Sequence, residues 1–298
     1  MLPEEVSPMN PSLKNALFPL VVMLLIAAQC ACREGAPIPA GGSLVTLKVP
    51  ERTESTGGAA AAIPVDIFTP SCAGALRGDV LVLPGWNHSR TRWQKETRIM
   101  NLARERRFRL VFPEMGKTNY ETAYFPETIL KWAATPGGAW VRDMLIPALQ
   151  KNGLLTNGGK NYLVGYSTGG RGVLLVSLQN PGLFTAGASL SGDCDQTLLP
   201  DEPLYTEQYG PYKQFRERWT RVDNPMTDIA VWRMPLYLGH GKKDTVCPWS
   251  QTQVFYDAVR TTHPNLRILL HLEETAAHDF AYWNSELPAV FDFFQSVP

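Results

Sequence analysis

Val80-Leu81-Val82-Leu83 is four strand-forming apolar residues in a row, bounded by Asp79 and the turn pair Pro84-Gly85. Such a run is too short for a helix. A strand wetted on one face alternates apolar with polar residues, whereas a strand covered on both faces does not need to. Leu269-Leu270-His271-Leu272 has the same character. Strands are expected at 43–49, 63–68, 79–83, 109–112, 162–165, 186–190, 236–238 and 267–272. Helical patterns fall among the later ones, at 93–107, 139–150, 170–178, 250–260 and 280–294. In 93–107, Ile99, Leu102 and Ala103 share one side and arginines populate the other. No helix separates the first two strands, which therefore pair as an antiparallel hairpin at one edge. The alternation that follows requires right-handed crossovers and a doubly wound sheet. The fold class is α/β, a mostly parallel central sheet with helices on both faces. Residues 200–233 carry Pro, Tyr and Trp without a period and read as an insertion over the carboxyl edge of the sheet.

The N-terminus reads differently. Residues 17–28 are almost unbroken apolar residues behind Lys14, and about a dozen is too few to span a bilayer, which takes roughly 20. A basic flank, a short apolar stretch and a small-residue exit form a secretory signal over 1–32. Glu4 and Glu5 fit that pattern poorly and point to Met9 as the true start. Cys30 and Cys32 at its end resemble a lipobox, although Gln29 stands where an aliphatic residue is usual. Cleavage with release and a membrane tether through a lipidated Cys32 both fit. Residues 33–42, rich in Gly, Pro and Ala, read as a flexible tether, and 43–298 as one catalytic domain. The whole sequence is 44% hydrophobic and 19% charged, and Lys plus Arg and Asp plus Glu both number 28. With no basic excess, nothing points to nucleic acid.

Gly165-Tyr166-Ser167-Thr168-Gly169-Gly170 carries the chemistry. It has the form G-x-S-x-G, in which a serine sits on a tight, strained turn and the glycines avoid neighbouring chain. Tyr162-Leu163-Val164 before it is a strand run, and Arg171-Gly172-Val173-Leu174-Leu175-Val176 after it continues as an apolar helix. That strand–turn–helix setting singles out Ser167 as a nucleophile rather than a turn serine.

A serine nucleophile needs a base and an orienting acid, here in the chain order Ser, acid, His. Of five histidines, His88 and His240 precede the required position, His263 reads as a solvated surface residue before Pro264, and His271 as packed inside a strand. His278, after the last strand and before the final helix, is the candidate base. Asp244, which closes Gly239-His240-Gly241-Lys242-Lys243-Asp244 just past a strand, is the candidate acid; Asp193 and Asp195 are the runners-up. Two backbone N–H groups are needed for the oxyanion. One belongs to Thr168 and the other to the loop Leu83-Pro84-Gly85-Trp86-Asn87-His88, where Trp86 is the first choice and Asn87 the second. Tyr166, Asn87 and Tyr124 are candidate substrate contacts, and Tyr120, Tyr205, Tyr209 and Tyr212 are aromatics suited either to a cleft or to core packing.

Taken together with Ser191-Gly192-Asp193 and with His278-Asp279-Phe280-Ala281-Tyr282-Trp283, these motifs resemble the family of esterase D-like enzymes, feruloyl and acetyl xylan esterases and mycolyltransferases. The resemblance covers roughly residues 60–295, as motifs rather than throughout. It implies an α/β-hydrolase fold and a Ser167–Asp244–His278 triad acting on carboxylic esters. Pro84-Gly85-Trp86 departs from the His-Gly that usually opens that family's oxyanion loop. Asp244-Thr245-Val246-Cys247-Pro248 resembles prolyl oligopeptidase-like hydrolases, which keeps peptide cleavage open. The expected partner is a small-molecule or carbohydrate ester. No metal or organic cofactor is called for, and no cysteine pair has zinc-site spacing. Cys194 and Cys247, past the carboxyl ends of neighbouring strands, form either a disulfide or two buried thiols.

Overall fold

The computed structural model describes residues 41–52 and 61–298. The expected signal segment 1–32, Cys30 and Cys32, and nearly all of the tether at 33–42 lie outside the described residues.

Eight strands form one sheet: β1 (Gly42–Pro50), β2 (Ala62–Pro70), β3 (Gly78–Leu83), β4 (Phe108–Pro113), β5 (Asn161–Tyr166), β6 (Ala186–Leu190), β7 (Leu236–Gly241) and β8 (Ile268–Glu273). Their order is β1-β2-β4-β3-β5-β6-β7-β8. The β1–β2 and β2–β4 pairs are antiparallel and all later pairs parallel. The edge hairpin and the parallel body thus stand where the residue pattern put them. Successive residues of the inner strands face opposite cores, as the period of two demands. Leu81, Leu83 and Leu163 enter one core, packed with Trp140, Val141, Leu174 and Phe255. Val80, Val82, Tyr162 and Val164 enter the other, packed with Trp93, Leu102, Val290 and Phe294.

Those helical residues define the two covering layers. One face carries α1 (Arg92–Glu96), α2 (Ile99–Arg106) and, later in the chain, α9 (Phe280–Ser296). The other carries α3 (Gly137–Trp140), α4 (Ile146–Lys151), α5 (Thr168–Gln179) and α8 (Trp249–Thr262). Two expected helices are broken. The one over 93–107 divides between α1 and α2 because Thr97 is extended and its hydroxyl closes the break, donating to the Trp93 carbonyl and accepting the Ile99 amide. The one over 139–150 passes through a π-helical turn, Val141–Leu145, just before Pro147. Proline has no N–H to continue the ladder. β8 is an edge strand with alternating exposure, and Leu269 is 43% exposed. Its apolar run had suggested a strand covered on both faces. His271 accordingly faces solvent rather than packing inside.

The stretch 200–233 holds α6 (Pro203–Tyr209), α7 (Arg216–Arg221) and a 3₁₀ segment, Pro225–Val231. Tyr205, Tyr209 and Trp219 form a small core of their own with Tyr212 and Phe125 at its border. Arg171 of α5, fully buried, reaches the insertion through Gln196 (3.0 Å) and lies 5.1 Å over the Tyr205 ring. Tyr205 and Tyr209 therefore serve packing rather than a cleft, and so does Tyr120, whose hydroxyl donates to the Pro84 carbonyl. Cys194 and Cys247 are two buried free thiols, not a disulfide. Among the described residues, no helix is long and apolar enough to cross a membrane.

Candidate active site

Ser167 sits between the end of β5 and the first residue of α5 with φ 56° and ψ −130°. A non-glycine residue there costs on the order of 1–3 kcal/mol, sustained by the surrounding structure. The Ser167 amide donates to the Leu190 carbonyl of β6 at 2.9 Å. The flanking glycines permit close chain approach. A Cβ on Gly165 would lie 2.1 Å from the Gly169 carbonyl oxygen, and one on Gly169 would lie 2.3 Å from that of Leu83. Both obstacles are backbone and cannot swing away. Gly165→Ala is expected to lower unfolding stability by about 3 kcal/mol, the upper end for overpacking, read from denaturant midpoints.

The structure brings Ser167, His278 and Asp244 into one hydrogen-bonded chain. His278 Nε2 lies 2.9 Å from Ser167 Oγ, and His278 Nδ1 lies 2.6 Å from Asp244 Oδ2. An ionised carboxylate only accepts, so Nδ1 carries the proton and Nε2 is left to accept from the serine hydroxyl. The rest of Asp244 is saturated. Its Oδ1 accepts the amides of Val246 and Cys247, each at 2.8 Å, and Oδ2 accepts from His240 Nε2 at 3.1 Å. Burial pushes the Asp244 carboxyl up, but the hydrogen bonds from His240 and His278 outweigh it and hold the group well below the usual carboxylate range. The runners-up are occupied elsewhere. Asp193 accepts the Tyr205 hydroxyl at 2.8 Å, and Asp195 caps the short 3₁₀ turn at Gln196–Leu198.

His240 was passed over because it precedes the acid in sequence. Its ring is fully buried beneath Asp244. Nε2 also donates to the Cys247 carbonyl at 3.0 Å, and Nδ1 accepts from the Thr252 hydroxyl at 2.7 Å. The sequence signal was present: a histidine between two glycines at a strand end, four residues before the acid. His263 is half-buried and bonds the Ile229 carbonyl at 2.7 Å rather than standing free in solvent.

The loop expected to receive the oxyanion is held by its own backbone: the Asn87 amide donates to the Gly116 carbonyl at 2.8 Å, and the His88 amide turns back to the Gly85 carbonyl at 3.1 Å. The Trp86 amide has no acceptor among the described residues. Asn87 is thereby removed as second choice for the oxyanion. Thr168 opens α5, and a first-turn amide has no carbonyl one turn back to bond. Tyr166, expected against substrate, is fully buried, stacked on Trp283 with ring centroids 4.2 Å apart, and its hydroxyl meets His88 Nδ1 at 2.8 Å. It supports the loop from behind. The Asn87 side chain is exposed. Tyr124 donates its hydroxyl to the carbonyls of Ala133 (3.2 Å) and Thr135 (3.4 Å), and no described contact joins it to Ser167.

This fold and this constellation are those of a serine hydrolase of the α/β-hydrolase type. The family model for the prolyl oligopeptidase family matches residues 137–297, more than half of the sequence, and the chain belongs to that family. No curated protein matches it significantly in sequence. Solved structures that share its fold include a fluorophosphonate-binding serine hydrolase of Staphylococcus aureus with substrate bound, at 15% identity and TM-score 0.63, covering 85% of this chain and 98% of that one. An S-formylglutathione hydrolase from Agrobacterium tumefaciens matches at 14% identity and TM-score 0.67, covering 89% and 98%. The acylaminoacyl peptidase of Pyrococcus horikoshii matches at 13% and 0.65, covering 86% of this chain and 42% of that one.

Proposed function

We propose that the protein hydrolyses carboxylic esters through an acyl-enzyme on Ser167. The observation that carries this reading is the hydrogen-bonded chain from Asp244 through His278 to Ser167. His278 Nε2 takes the Ser167 proton as Oγ attacks the ester carbonyl, and the amides of Thr168 and Trp86 receive the oxyanion. His278 then gives its proton to the departing alcohol. Water, deprotonated by the same nitrogen, releases the acid. Asp244 holds the Nδ1–H tautomer and stabilises the imidazolium formed in each half. The segment 1–32, read as an export signal, would place the substrate outside the cytoplasm.

A fluorophosphonate probe tests the reading directly. Labelling of the wild type that is absent in Ser167→Ala supports it; a folded wild type that does not label points to a non-catalytic binding protein instead. The family match favours one second reading, a peptidase with the same triad. Esters and peptide amides sharing one acyl group separate the two, and amide turnover comparable with ester turnover would decide for the peptidase. His240 acts here by positioning the acid. His240→Leu removes a hydrogen bond to a charged carboxylate, worth about 1.5–3 kcal/mol. The expected result is a fall of about 10–100-fold in kcat/KM, measured by steady-state ester hydrolysis.

A further inference from the structure

We propose that the cleft between α1 and the start of α9 is the subsite for the alcohol half of the ester, and that it selects a neutral, hydroxyl-rich alcohol over an anionic one. The inference rests on the ester-hydrolase reading and deepens it. Cavities of about 280, 360 and 240 Å³ open at the amino ends of the strands, beside Phe184 and Met234, beside Leu266, and beside Gly78 and Asn161. The cleft of about 470 Å³ lies instead at the carboxyl ends, walled by His278, Asp279 and Phe280 on one side and by His88, Arg92 and Glu96 on the other. Ligands of open α/β sheets bind at that edge.

Stereochemistry assigns the half of the substrate. In the tetrahedral intermediate the oxyanion faces the Trp86 and Thr168 amides, while the leaving oxygen must face His278 Nε2 to receive its proton. The alcohol therefore extends along the His278 side, where this cleft opens.

Charge assigns the chemistry. Arg92 is committed to Glu96 through Nε and Nη2, the latter at 2.9 Å, and to His88 Nε2 through Nη1 at 2.6 Å. Its guanidinium also lies 4.4 Å over the Phe280 ring. Burial and the Arg92 cation lower His88 to about 4, so its ring is neutral at pH 7. Arg92 and Glu96 cancel, and Asp279 leaves the walls with one net negative charge. An anionic alcohol finds its natural cation already paired and a like charge facing it. A neutral polyol finds the two N–H groups that Arg92 has left of its five, carboxylate lone pairs on Glu96 and Asp279, and apolar ring surface on the part-exposed Phe280. The Arg92 and Glu96 side chains are 35% and 37% exposed, so both are reachable from the cleft.

The test uses two esters with one acyl group, a methyl glucoside ester and a glycolate ester, assayed by acid release in a pH-stat. Wild type is expected to favour the neutral alcohol by about tenfold in kcat/KM. Glu96→Gln frees the guanidinium and shifts that ratio about tenfold toward the glycolate ester, mainly through KM. Arg92→Gln leaves Glu96 unopposed and shifts the ratio the other way. Equal rates on both esters in wild type, or two variants that fail to move the ratio in opposite directions, overturn the subsite. Loss of all ester turnover in a protein whose Ser167 still takes a fluorophosphonate overturns the ester reading itself, and the subsite with it. Labelling does not depend on the alcohol, so the two failures are distinguishable.

Discussion

Ser167→Ala is expected to lower kcat for ester hydrolysis by about 10⁶-fold, the scale set when a triad nucleophile is removed from a serine hydrolase. The size of the effect follows from how completely the site is built around one oxygen. A strained backbone presents Oγ, His278 Nε2 stands 2.9 Å away to take its proton, and the Thr168 and Trp86 amides are the proposed donors for the charge that develops on the substrate. Removing Oγ leaves the donors with no covalent chemistry to assist. Unfolding stability should hold or rise, because alanine makes no demand on this turn beyond the one serine already met. Single-turnover kinetics checks the first expectation and thermal denaturation the second. A loss below about a hundredfold would mean that another group attacks the carbonyl.

Asp244→Asn has the next largest expected effect, about 10⁴-fold in kcat at neutral pH. The amide keeps the shape of the carboxyl but can donate toward His278 Nδ1, which favours the opposite tautomer and places the ring proton on Nε2, facing the serine. The same substitution changes how stability depends on pH. The folded Asp244 titrates below its unfolded value, so it contributes stability that is fully present above the ordinary carboxylate pKa of about 4 and is lost as pH falls toward the folded value. Wild type should therefore weaken more steeply than Asp244→Asn below about pH 4. Urea midpoints at several acid pH values measure the difference. Parallel curves would mean that the hydrogen bonds to Asp244 are already present in the unfolded chain.

Both predictions rest on residues that were legible before any coordinates. A tight turn between a strand run and a helix pattern marks Ser167, and the positions just past the last two strands mark Asp244 and His278, because each signal is local or depends only on chain order. Trp86 as the proposed oxyanion donor could be named from its loop. Its loop also put it ahead of Asn87, and what only the coordinates supply is the reason: Gly116 lies close enough to take the Asn87 amide.

Local patterning was enough for the eight strands, the edge hairpin, the parallel body and the catalytic candidates, because backbone period, turn chemistry and element order are written over a few residues at a time. Tertiary structure decided the rest. That β8 lies at an edge and turns His271 to solvent follows from sheet order, which no window of sequence contains. Burial of Tyr166, Tyr205 and Tyr209 depends on which helix or insertion lands on them, and the same aromatic residue reads equally well as core or cleft until it does. The spacing hinted at His240, but that it lies beneath the acid, and that Arg92 clamps His88, was decided only when β7 met α8 and the loop after β3 met α1. Those contacts join side chains through space, and their energy comes from desolvation and geometry that composition and spacing do not encode.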